Sequence, residues 1–112
     1  MARRGRSARR KGSDFERQVA GILADHLGAN VRRVLLSGPR GEGDVEGIPA
    51  VHIECKRHER TRLAEWYRKE SAKANSKPFV LIHKRSGEPI FATMTLEDWI
   101  ALFRKTIREV TP

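Results

Sequence analysis

The sequence predicts an α/β (α+β) domain with a mixed five-stranded sheet flanked by helices, in the order α-β-β-β-α-β-β-α. Three observations carry this. Apolar residues recur at helical spacing near both ends and in the middle of the chain, short β-branched runs lie between them, and residues 50–56 alternate strictly in polarity. With 112 residues there is room for one compact domain.

Residues 1–11 carry Arg3, Arg4, Arg6, Arg9, Arg10 and Lys11 with hardly any apolar side chain, which predicts a mobile basic arm ahead of a single domain over 12–112. Ser13 and Glu16 have the spacing of a capping box. Phe15, Val19, Ile22, Leu23 and Leu27 then mark an amphipathic helix over 14–27 that stops at Gly28. Residues 31–36 read as a strand, 37–43 as a glycine-rich loop, 44–46 as a second short strand and 47–49 as its turn. In 50–56 Val51, Ile53 and Cys55 face one way, and His52, Glu54 and Lys56 the other. The charged run 57–61 leaves the sheet. A helix over 62–75 follows, with Leu63, Trp66 and Tyr67 on one side. The apolar run 78–83 suits a buried strand, residues 85–88 a turn, and 89–93 the returning strand of a hairpin. Thr95 and Asp98 cap a last helix, in which Leu96, Trp99, Ile100, Phe103 and Ile107 share a face.

Charge narrows the function. Lys and Arg number 23 against 14 Asp and Glu, a net +9 that favours a polyanionic partner, nucleic acid first among them. No apolar stretch reaches the roughly 18 residues needed to cross a bilayer, and no membrane role is expected. An arginine-rich N-terminus without an apolar segment, and a single cysteine, predict a cytoplasmic protein. The phosphate-cradling GxxxxGK[ST] pattern is absent, so no nucleotide cofactor is expected.

The sharpest pattern is Asp44, then Glu54 and Lys56 two residues apart on one strand face, with Glu16 upstream. Taken singly, Asp44 reads as a turn residue, Glu54 and Lys56 as a solvated strand face, and Glu16 as half of a capping box. Together they suit a hard cation such as Mg²⁺, which takes one or two carboxylates and completes its shell with water and phosphate oxygens. The backbone carbonyl of Cys55 offers a further ligand. A lysine beside such an ion holds a water or stabilises charge building on a phosphate. His52 shares the face of Glu54, but an ordinary sheet histidine is the simpler reading; Cys55 reads as a buried structural thiol. Trp66 and Tyr67 read as packing residues, and His58 as a loop residue facing solvent or DNA.

Gly43-Asp44 followed by Ile53-Glu54-Cys55-Lys56 resembles the core motif of the PD-(D/E)xK nuclease superfamily, with Gly-Asp for Pro-Asp. Lys11-Gly12-Ser13 before Phe15-Glu16-Arg17, and Ser37-Gly38 ahead of the acidic loop, are similar to archaeal-type Holliday-junction resolvases and their phage relatives. The similarity spans about residues 11–110 and implies a restriction-endonuclease-like core. It implies Asp44 and Glu54 as ligands of Mg²⁺, for which Mn²⁺ can substitute, and Lys56 as the catalytic lysine. Glu16 would complete the metal or water network, and Ser37 would stand near the scissile phosphate. Related resolvases often carry a glutamine in the helix after the Glu-x-Lys strand, where this chain offers Glu65 or Glu70. The resemblance further implies a homodimer that nicks a four-way DNA junction symmetrically. Arg32, Arg33, Arg40, Arg57, Arg60 and Arg62 would join the arm as the DNA-binding surface. Competing readings are a repair or restriction-like enzyme of the same fold acting on duplex DNA, a non-enzymatic architectural DNA-binding protein, and a basic RNA-associated protein, which lacks an aromatic RNA-binding motif here.

Overall fold

The computed structural model of the protein describes the backbone of residues 2–28, 30–34 and 44–110, and the side chains of residues 9–107 within those stretches. Helix α1 (Ala2–Leu27) leads to the strands β1 (Arg32–Arg33), β2 (Val45–Glu46) and β3 (His52–Arg57). Helix α2 (Leu63–Ser71) runs on into a 3₁₀ turn (Ala72–Ala74), and β4 (Phe79–Lys84), β5 (Phe91–Thr93) and helix α3 (Leu96–Val110) follow. The order is the expected one, and it agrees with a restriction-endonuclease-like core.

Among the described residues the strands form one sheet in the order β1-β2-β3-β4-β5. β1 to β3 are antiparallel neighbours, β3 and β4 are parallel, and β5 returns antiparallel to β4. Two parallel neighbours need a crossover between them, and α2 supplies it. β3 and β4 are therefore covered on both faces, which is why Phe79 to His83 is an unbroken buried run.

Two apolar clusters lie on opposite faces of the sheet. On one, Phe15, Val19 and Ala20 of α1 pack on Val45, Ile53, Cys55, Val80 and Ile82. On the other, Leu63, Trp66 and Tyr67 of α2 pack on Phe79 and Leu81, the most deeply buried large side chains described. Burying such a side chain contributes roughly 1.5–3 kcal/mol. The alternation expected for 50–56 is thus observed: Ile53 and Cys55 face α1, while Glu54 is buried on the opposite side.

Three expectations need correcting. The first helix begins at Ala2 and not at residue 14, so the backbone of residues 2–11 is helical; alanine, arginine and lysine are good helix formers. Ser13 is inside the helix, where its Oγ accepts a hydrogen bond from Arg33 at 3.1 Å instead of capping. Ile22 and Leu27, expected on the buried face of α1, are exposed. The last part of the expected strand 31–36 and the loop 37–43 lie outside the described residues.

Turn chemistry sets the connections. At Gly47 φ is +102°, and a Cβ there would sit 2.1 Å from the Asn30 carbonyl oxygen, so only glycine fits. The cap of α3 is as expected: the Asp98 N–H donates to Thr95 Oγ1 at 3.0 Å. The Tyr67 hydroxyl clasps this end by donating to the Phe79 carbonyl at 2.9 Å, accepting from Thr95 N–H at 3.0 Å and bonding to Asp98. The apolar stripe of α3 faces away from the body: Leu96, Trp99, Ile100, Phe103 and Ile107 are all exposed, with Trp99 and Phe103 stacked at 5.1 Å. No helix among the described residues is long and apolar enough to cross a membrane.

Candidate active site

The site grows from the point where β2 gives out beside β3. Val45 pairs with Ile53, and the Asp44 backbone is stitched in on both sides: its N–H donates to the Ile53 carbonyl at 2.9 Å, and its carbonyl accepts from Val34 at 3.0 Å. One rung further along, the Asp44 side chain takes over as acceptor, with Oδ2 receiving the Cys55 N–H at 2.8 Å. In an extended strand a residue's N–H and C=O point to the same side, so the Cys55 carbonyl also looks toward Asp44.

Period two then separates the functional side chains. Cys55 goes into the α1 cluster, where burial first, and then the carboxylates of Asp44, Glu16 and Glu54, push its thiol far up. That thiol is a packing group and not a nucleophile. Glu54, only 4% exposed, lies on the α2 side, and its Oε1 is 3.0 Å from Nε2 of the equally buried His52. Lys56 projects on the same side, and its ammonium lies 3.3 Å from Oε1 of Glu70 on α2.

The acids are unevenly compensated. Glu16 on α1 receives Arg33 Nε at 2.9 Å, and Glu54 has His52. Burial works to raise the Glu70 carboxyl, but Lys73, at 2.7 Å, and Lys56 together outweigh it and hold the acid below its ordinary value. Asp44 is different. Burial pushes it up first, the Cys55 N–H opposes, and the nearby Glu54 and Glu16 carboxylates raise it again, to about 7. The Lys73 ammonium is in turn raised, by its bond to Glu70 first and by the fields of Glu54 and Asp44.

Negative charge at Asp44 and Glu54 therefore exceeds what the described side chains neutralise, and this surplus fits a cation. Among the described residues no three His, Cys, Asp or Glu side chains stand close enough to hold an ion by themselves. Asp44, Glu54 and the Cys55 carbonyl instead match the sparse oxygen set of an ion that keeps water and phosphate ligands.

The expected site residues thus divide. Glu16, Asp44, Glu54, Cys55 and Lys56 are gathered at one end of the sheet. Ser37 and Arg40 lie outside the described residues, as do the side chains of Arg3, Arg4 and Arg6. Of the two candidate glutamates on α2, Glu65 turns outward to Arg62 at 3.8 Å, while Glu70 faces Lys56. Arg9, Arg10, Lys11 and Arg60 are exposed. Arg32 and Arg57 are engaged by Glu46 and Glu59, each at 2.5 Å; the exposed Arg32 pair contributes little, while Arg57 is largely covered and also donates to Ser86 Oγ at 3.0 Å. His58 is exposed beside Trp66, as expected of a loop residue. Lys73 escaped the sequence reading, although its place three residues after Glu70 on a helix was the available signal.

Residues 7–111 match the model of a family described as "Phage putative PDDEXK endonuclease". No curated protein and no solved structure gives a match. The match covers nearly the whole chain and takes in Glu16, Asp44, Glu54 and Lys56. The chain belongs to the phage PDDEXK endonuclease family.

Proposed function

We propose that this endonuclease is a Mg²⁺-dependent, structure-selective enzyme that resolves four-way DNA junctions by paired symmetric nicks, working as a homodimer in the cytoplasm of the infected host. The observation that carries the catalytic part is the surplus of acidic charge at Asp44 and Glu54, with Lys56 two residues beyond Glu54 on the same strand face. Asp44, Glu54 and the Cys55 carbonyl would hold the ion, with Mn²⁺ able to replace Mg²⁺. Bound there, the ion would act as a Lewis acid on the phosphate and make a water more acidic. Lys56 steadies the attacking water or the charge that gathers on the phosphoryl oxygens, and the product keeps its phosphate on the 5′ side. Glu70 holds the Lys56 ammonium at the α2 side of the site, and Glu16 adds negative field while fixed by Arg33. Ser37 would approach the scissile phosphate from the glycine-rich loop.

Junction selectivity is supported by the sequence resemblance around Lys11-Gly12-Ser13, Phe15-Glu16-Arg17 and Ser37-Gly38. The homodimer is supported by the same resemblance and by the outward apolar stripe of α3, a surface of the kind monomers rarely leave open. Shape and backbone contacts, made by exposed cations such as Arg9, Arg10, Lys11 and Arg60, would select the substrate, not base edges. The test is cleavage of an immobile four-way junction beside its component duplexes, in Mg²⁺ and in Mn²⁺, by wild type and Asp44→Asn. Paired nicks in the junction alone, lost in the variant, are expected. Equal cutting of the duplexes would keep the nuclease and discard junction selectivity. Tight binding with no cutting in either metal would leave a DNA-binding protein without this chemistry.

A further inference from the structure

His52 was read from sequence as an ordinary sheet histidine, yet its surroundings are specific. Its backbone is pinned by donation of its N–H to the Pro78 carbonyl at 2.9 Å. Its ring stacks on Phe79 at 5.8 Å between centroids and 28° between planes, and Phe79 is itself braced edge-on by Tyr67. The side chain is 3% exposed and that of its partner Glu54 5%. The ring is therefore held by the Phe79 stack and by burial, and Nε2 ends 3.0 Å from Glu54 Oε1. With the ring nitrogen as donor, the hydrogen bond takes up a lone pair of Oε1 and leaves the second carboxylate oxygen free for another partner.

We infer that His52 is a positioning residue: its Nε2–H occupies Oε1 of Glu54 and turns the other oxygen of that carboxylate toward Asp44 and a bound divalent cation. A buried carboxylate on a strand has two torsions before its terminal group, and without a partner it samples orientations that present either oxygen, or neither, to the ion. One fixed hydrogen bond removes that freedom. Groups that orient a metal ligand in this way commonly change metal affinity by roughly 10- to 100-fold when removed. The imidazole suits the task because it donates one hydrogen bond at the end of a flat ring that Phe79 can hold. A lysine or arginine at the same place would add a full charge and compete with the cation for Glu54.

The inference rests on the reading of Glu54 as a metal ligand, and the experiment separates the two. Mn²⁺ binding to the DNA-free protein is measured by calorimetry for wild type, Glu54→Gln, His52→Phe, His52→Gln and His52→Asn, with thermal unfolding in EDTA alongside. His52→Phe keeps a ring on Phe79 but has no donor; His52→Gln places an amide N–H where Nε2 was; His52→Asn has the amide but falls short of Glu54. The expected result is Mn²⁺ affinity lowered about 10- to 100-fold in His52→Phe and His52→Asn, and largely restored in His52→Gln. Should His52→Phe fail to fold, His52→Asn carries the same expectation. Wild-type affinity in the variants that lack or cannot place the donor, with Glu54→Gln impaired, overturns the role of His52 alone. Loss in His52→Gln as severe as in His52→Phe overturns it too, because His52 would then bind the ion itself. Unchanged affinity in Glu54→Gln removes the metal-ligand reading on which the inference stands.

Discussion

Asp44→Asn should make the DNA-free, metal-free protein more stable while removing its activity. The Asp44 acid moves from an ordinary 3.8 to about 7 in the folded chain, first by burial and then through Glu54 and Glu16 against the help of the Cys55 N–H. Because the folded state titrates higher than the unfolded one, the folded chain holds the extra proton between these values. Stability is therefore greatest on the acidic side, falls as pH rises toward 7, and stays reduced above it. The full displacement corresponds to roughly 4 kcal/mol. Asparagine keeps an oxygen to accept from Cys55 N–H and discards the charge, and with local relaxation it should recover about 1–3 kcal/mol at pH 8. For a chain of this length that raises Tm by about 4–12 °C. The assay is thermal unfolding by circular dichroism in EDTA, at pH 8 and at pH 5.5. The gain should be present at pH 8 and shrink at pH 5.5, where the wild-type acid is already protonated. Adding Mn²⁺ at pH 8 should raise the wild-type Tm and leave the variant nearly unmoved. A variant that is less stable than wild type at both pH values would refute the reasoning, since Asp44 would then be a structural acceptor with no charge surplus to relieve.

Glu70→Leu leaves Lys56 and Lys73 without the carboxylate that holds them, so kcat should fall by about 10- to 100-fold while DNA binding stays within a few-fold, as read by single-turnover cleavage and gel shift; binding and cleavage falling together would place Glu70 in the fold and not behind Lys56. Trp99→Asp combined with Phe103→Asp sets two charges into the apolar stripe of α3 and should convert the proposed dimer to monomer in sedimentation at micromolar concentration, with Tm nearly unchanged because both side chains are already exposed. A lower Tm without a change in mass would assign that stripe to the monomer's own packing.

Much of the fold was legible because local and tertiary demands coincide. Ile53 and Cys55 alternate with Glu54 and Lys56, and both sides of β3 meet a helix, so a period-two pattern had one consistent placement. Thr95 and Asp98 cap α3 by contacts three residues apart, which a sequence can display. The start of α1 was not legible for the opposite reason. Ser13 and Glu16 have the spacing of a cap, yet both side chains are used by Arg33, 20 and 17 residues away, and that partnership has no local signature. The outward turn of Ile22 was equally hidden, since a helical stripe shows amphipathicity and not how wide a face the sheet will cover.

The same contrast explains what the candidate site yielded. Asp44, Glu54 and Lys56 stand out in the sequence because a hairpin and a strand period relate them. Glu70, Lys73 and His52 were left open or missed, because their relation to the site depends on which face of α2 crosses β3 and on where Phe79 holds a ring. With those three in place the charges sort themselves into two halves. On the α2 side, Glu70 is shared by two ammonium groups and is satisfied. On the β2 side, Glu16 has Arg33 and Glu54 has His52, while Asp44 has a backbone N–H and two like charges. A fold that pairs Glu16 and Glu70 with cations, gives Glu54 a hydrogen-bond partner and leaves Asp44 raised to about 7 has kept one place where an added cation lowers the free energy. That place belongs to a net +9 chain that draws phosphate toward it, and Lys56, on the same face of β3 as Glu54, completes the arrangement we propose for phosphodiester cleavage.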